Sequence, residues 1–65
     1  MELYQLRQFA AVAKYENMTR AAESLNVAQP AVSKTIRNLE SELGAELFER
    51  TGKGLRRTEQ GDILL

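Results

Sequence analysis

The stretch TRAAESLNVAQPAVSKTIRNLESEL, Thr19–Leu43, followed by Gly44, reads as two helices joined by a tight turn. Asn17 and Thr19 offer side-chain oxygens where the shorter helix begins, and Ala21, Ala22 and Leu25 form its inner face. Asn26 suits the left-handed conformation that stops such a helix. Pro30 then belongs in a first helical turn, because the N–H it lacks would be unpaired there anyway. The longer helix runs from about Pro30 to Leu43, with Val32, Ile36, Leu39 and Leu43 as its inward stripe. Ser33, Lys34 and Arg37 project from the opposite side, with Gln29 and Pro30 at the tip. Gly44 ends the helix, since glycine takes a left-handed cap without steric cost.

Upstream, Leu3, Leu6, Phe9, Ala10 and Ala13 recur at intervals of three and four and predict one apolar stripe on an earlier helix. Glu2 and Lys14 match the two ends of its dipole. Downstream the period changes. Leu47-Phe48-Glu49-Arg50 and Leu55-Arg56-Arg57 flank the glycine-rich Thr51-Gly52-Lys53-Gly54, which predicts a two-stranded ribbon. Thr58 restarts a helix, with Glu59 and Asp62 in its first turn. The fold class is therefore mainly α with a small two-stranded β wing: a winged helix-turn-helix of three core helices plus the start of another.

The chain has 65 residues, 43% of them hydrophobic, so it is one small domain with a modest core. It has no Cys and no His. That excludes disulfides, Cys/His zinc sites and Ser-His or Cys-His dyads, and no acid pair suggests an enzyme. No cofactor is implied. No apolar stretch approaches the ~20 residues of a membrane span, and the N-terminus lacks a signal pattern, so the expected location is cytoplasmic, away from membranes. Nine Lys and Arg balance nine Asp and Glu, yet they are not mixed evenly. Glu40, Glu42, Glu46 and Glu49 occur without a base among them, and Arg50, Lys53, Arg56 and Arg57 follow without an acid. Such blocks fit a protein with one phosphate-facing side, and equally fit ordinary solvated faces.

The residue types on the second helix suit duplex DNA. A major groove about 12 Å wide admits a helix, and short polar side chains near its N-terminus can reach base edges. Gln29 can bond bidentately to adenine, Ser33 can donate or accept, and Pro30 offers an apolar face to a thymine methyl. Lys34 can reach guanine or a phosphate, while Arg37, a turn later, suits the backbone. Lys53 at the ribbon tip fits a minor groove or its flanking phosphates, and Arg50 with Arg56 or Arg57 would extend that contact. Alternation along a strand forbids Arg56 and Arg57 from both facing DNA. Taken singly, each of these features has an ordinary structural use; their co-occurrence carries the reading.

The run Thr19-x-Ala21-Ala22-x-x-Leu25-x-Val27-x-Gln29-Pro30-Ala31-Val32-Ser33-x-x-Ile36-x-x-Leu39-Glu40-x-x-Leu43-Gly44-x-x-Leu47-Phe48-x-Arg50, closed by Thr58-x-x-Gly61, resembles the DNA-binding domain of LysR-type transcriptional regulators. The resemblance implies a domain over residues 1–58, with its helix-turn-helix at about 18–37 and its wing at about 47–57. Gln29, Pro30, Ser33 and Lys34 would face DNA, Lys53 would sit near the minor groove, and Thr19 and Arg50 near phosphates. Residues 59–65 would begin a linker helix through which subunits pair as dimers or tetramers on a dyad-symmetric operator. A small-molecule effector would bind only a C-terminal domain that is absent here. Ala28 stands where the family usually has Ser or Thr, which leaves Gln29 to cap the helix, and Gln60 stands where a small residue is usual. Two alternatives remain at this point: a molybdate-responsive regulator with a similar N-terminal domain, and a winged helix used for protein docking. A docking module would show an apolar patch where Lys34, Arg37 and Lys53 lie.

Overall fold

The computed structural model describes residues 1–65. The chain runs α1 (Leu3–Tyr15), α2 (Met18–Leu25), α3 (Gln29–Leu43), β1 (Phe48–Thr51), β2 (Gly54–Arg57) and α4 (Glu59–Leu64). The helix junctions follow local chemistry. The α1 helix stops at Glu16, which takes a left-handed conformation at φ 53°. Asn17, rather than Thr19, caps α2, its side-chain oxygen accepting the Arg20 N–H at 2.9 Å. Asn26 is the left-handed stop the sequence suggested, at φ 60°, and Gly44 closes α3 at φ 66°.

The three helices bury Phe9, Val12, Ala13, Ala21, Ala22, Val32, Ile36 and Leu39, and the chain returning from α3 adds Leu47 and Phe48. The Phe9 and Phe48 rings meet in a tilted arrangement with centroids 5.4 Å apart, which ties the base of the wing to α1. Two expectations about the core need correction. Leu3 is 74% exposed and Ala10 is also at the surface, whereas Val12 is wholly buried. At about 100° per residue, Phe9, Val12 and Ala13 share one face, and Leu3 and Ala10 lie roughly a third of a turn away from its centre. Leu43 continues the inward stripe of α3 in angle but is 42% exposed. The last turn of α3 overhangs the core there, and Leu43 only lines an apolar cleft shared with Ala45, Leu47, Ile63 and Leu64. Gln60 lies exposed at the rim of that cleft, so it does not crowd the corner.

The ribbon is antiparallel, pairing Phe48 with Arg57, Glu49 with Arg56, Arg50 with Leu55 and Thr51 with Gly54. Specific polar bonds fix it to the helices. The Leu55 N–H donates to the Glu16 carbonyl at 3.1 Å, beside Gly54 at φ 128°. A side chain at Gly54 would bring a Cβ within 2.9 Å of that same carbonyl, so the close approach requires glycine. At the other end, Glu40 Oε2 accepts the Leu47 N–H at 2.8 Å. Thr58 caps α4 by accepting the Gly61 N–H at 3.1 Å, and its hydroxyl donates to the Glu46 carbonyl at 2.6 Å. Gly61 is buried against Leu47, whose carbonyl oxygen leaves no room for a Cβ.

Candidate nucleic-acid interface

The start of α3 is built without a side-chain cap. Ala28 occupies the N-cap position, Gln29 is the first helical residue and Pro30 follows it. This corrects the expectation that Gln29 caps α3. A residue inside the first turn directs its side chain along the helix surface, and the Gln29 amide Nε2 instead donates to Ser33 Oγ at 2.7 Å. Pro30 and Lys34 are exposed, Gln29 and Ser33 half-buried, and Arg37 exposed one turn beyond Ser33. None of these side chains is consumed by the core. With no side-chain cap, the N-terminal end of α3 keeps its partial positive charge open to the surface.

Three adjoining clefts connect this helix face to the wing. Thr19, Gln29 and Arg50, together with Glu16, Asn17, Met18 and Thr51, line one of about 290 Å³. Ser33, Arg37, Glu40 and Arg50 line a second of about 230 Å³. Lys53, Arg56, Gly52 and Thr51 line a third of about 480 Å³ along the wing. Arg50 belongs to the first two, and Thr51 to the first and third, so the three form one trough. The trough gathers Thr19, Gln29, Ser33, Arg37, Arg50 and Lys53. Lys34 and Pro30 lie outside these clefts, farther around the exposed side of α3. Most of the lining residues are polar or charged, with Met18, Ile36, Phe48 and Leu55 supplying an apolar floor. The apolar cleft of the molecule lies elsewhere, between the end of α3 and α4.

Alternation resolves the paired arginines. Arg57 lies on the same ribbon face as Phe48 and bonds Asp62 Oδ1 through Nε at 2.8 Å, turned toward α4. Arg56, on the other face, lines the wing cleft with Lys53. Sequence reasoning missed Glu16, whose place in two of the clefts sets an acid among cations. It missed Met18 as well. Their proximity in sequence to the α2 cap was the available signal. Glu40, first read as part of an acidic strip, spends one carboxylate oxygen on the Leu47 N–H and faces the trough beside Arg37.

Comparison with known proteins accords with this geometry. The sequence model described as "Bacterial regulatory helix-turn-helix protein, lysR family" matches residues 3–62. The RuBisCO operon transcriptional regulator of Allochromatium vinosum is 54% identical over 61 residues, covering 94% of this chain and 20% of that protein. The HTH-type transcriptional regulator BudR of Klebsiella aerogenes is 47% identical over 62 residues, covering 95% of this chain and 43% of that protein. Among solved structures, the CbnR DNA-binding domain in complex with DNA superposes with a TM-score of 0.94 at 42% identity, over 100% of this chain and 75% of that one. The BenM DNA-binding domain with its catB site 1 DNA gives 0.93 at 44% identity, over 98% and 71%. The chain thus spans about a fifth of the RuBisCO operon regulator and under half of BudR. On a family match that covers nearly its whole length, the chain belongs to the lysR family of bacterial regulatory helix-turn-helix proteins.

Proposed function

We propose that this chain is the sequence-specific, double-stranded DNA-binding part of a LysR-type transcriptional regulator, with α3 in the major groove and the wing at the minor groove. One observation carries the proposal: the clefts along the polar face of α3 and along the cationic wing adjoin, sharing Arg50 on the helix side and Thr51 on the wing side. The CbnR and BenM DNA-binding domains that it superposes on were each solved in complex with DNA, which supports it. In this reading Gln29, Pro30, Ser33 and Lys34 form the base-facing surface of α3, while Thr19, Arg37 and Arg50 hold phosphates and Lys53 reaches the minor groove or its rim. Residues 1–58 form the binding domain. Residues 59–65 begin the helix that pairs subunits into dimers or tetramers on a dyad-symmetric operator, and a small-molecule effector acts through protein beyond this chain. No helix is long and apolar enough to cross a membrane, and the working location is the cytoplasm. The chain performs no reaction of its own.

Selection from a randomised duplex pool, followed by affinity measurement across a salt series, tests the proposal. The expected result is an enriched sequence bound more tightly than scrambled duplex, with affinity falling steeply as salt rises. Equal binding to scrambled duplex at physiological salt, or binding indifferent to salt, would refute it.

A further inference from the structure

Gln29 and Ser33 lie one helical turn apart, and each carries a side chain able to read a base alone. In the structure they are not independent. Gln29 Nε2 donates to Ser33 Oγ at 2.7 Å, and both residues are half-buried. A primary amide has two N–H groups and one carbonyl oxygen. The N6/N7 edge of adenine takes one N–H, donated to N7, and supplies one N–H to the carbonyl oxygen, from N6. One amide N–H is therefore surplus to adenine recognition. The serine hydroxyl accepts one N–H and leaves the amide with the donor and acceptor that adenine needs.

We infer that Ser33 is a positioning residue for sequence readout, its hydroxyl holding the Gln29 amide so that one N–H and the carbonyl oxygen face the groove as an adenine-reading edge. This rests on the DNA-binding reading above. The local sequence supports such a device. With Ala28 at the N-cap and Gln29 already helical, the glutamine side chain is not drawn back to cap the backbone. An unrestrained glutamine samples several rotamers that binding must remove; a partner fixed on the same helix removes much of that freedom beforehand. Ser33 spends one acceptor site on this bond, and its effect on base choice runs through the Gln29 amide that it holds.

The test starts from the duplex that the wild-type chain enriches from a randomised pool. Affinities for that duplex and its single-base-pair variants are measured for wild type, Gln29→Ala, Ser33→Ala, the double variant and Ser33→Thr, with helix content checked by circular dichroism. Ser33→Ala should reduce the adenine preference about 3–10-fold at the same base pair that Gln29→Ala affects, with little further loss in the double variant. Ser33→Thr, which keeps the hydroxyl, should restore most of the preference. A Ser33→Ala effect at a different base pair, or losses that multiply in the double variant, would overturn the inference while leaving DNA binding intact. A wild-type chain that enriches no sequence would overturn both. Independently of DNA, nitrogen relaxation of the Gln29 side-chain amide should show it ordered in wild type and mobile in Ser33→Ala; equal mobility in the two would overturn the inference.

Discussion

Lys53→Ala removes the cation at the tip of the wing, and the size of its effect follows from how many cations share the trough. Arg37, Arg50, Lys53 and Arg56 line the clefts there. Each cation that neutralises a phosphate adds about −0.9 to the slope of log affinity against log salt, so these side chains together predict about −3.6 per domain. Without Lys53 the slope should fall to about −2.7. If the lysine acts only by displacing counterions, the two proteins converge near ~1 M salt and diverge below it. The variant then binds about eightfold more weakly at ~0.1 M and about fourfold more weakly at ~0.2 M. Arg57→Ala is the matched control. It removes the same charge, but its guanidinium bonds Asp62 at 2.8 Å on the side of the ribbon that meets α4. Its slope should equal that of wild type. Fluorescence anisotropy with one labelled duplex of arbitrary sequence, titrated from ~0.05 to ~0.3 M salt, measures all three. A slope flattened as much by Arg57→Ala as by Lys53→Ala would refute the assignment, since net charge rather than position would then govern binding.

Two further predictions concern how the wing and α4 are held. Gly61→Ala should lower unfolding free energy by about 1–3 kcal/mol, because its Cβ would collide with the Leu47 carbonyl, which also accepts the Thr58 N–H at 3.0 Å. Gly52→Ala, with nothing within 4 Å of the added methyl, should stay within about 0.5 kcal/mol of wild type, and urea titration of both variants checks the contrast. Glu40→Ala strips the Leu47 N–H of its partly buried acceptor and should cost about 1.5–3 kcal/mol by the same measurement, with Glu40→Gln recovering part of the loss because an amide oxygen can still accept. An unchanged midpoint for Glu40→Ala would show that the bond contributes nothing.

The helix-turn-helix was legible because its signals are local. Asn26, Pro30 and Gly44 each dictate backbone conformation within a few residues, and the Val32-Ile36-Leu39 stripe needs only the helical period to show which side of α3 turns inward. The ribbon was legible for the same reason, from glycines flanking Lys53 and a change of period. The candidate site residues could be named as types and positions on α3 and the wing, and the structure brings Thr19, Gln29, Ser33, Arg37, Arg50 and Lys53 to adjoining clefts. The Gln29–Ser33 bond was within reach too, since residues four apart share a helix face, but the two were read as separate base readers.

What escaped depends on surfaces that meet across the chain. The spacing of α1 admits more than one apolar face, and only packing against α2, α3 and Phe48 selects Phe9, Val12 and Ala13 while leaving Leu3 and Ala10 in solvent. Leu43 obeys its helical period and is still exposed, because burial requires a neighbouring element as well as a direction. The Glu40 carboxylate meets a backbone N–H seven residues away only where the chain turns from α3 into β1. Alternation could say that Arg56 and Arg57 face opposite ways; that Arg57 is the one held away from the wing cleft was decided by α4 folding back to place Asp62 beside it. Backbone conformation is set by nearest neighbours and can be read along the chain, whereas the exposure and pairing of a side chain are set by whatever the fold brings against it.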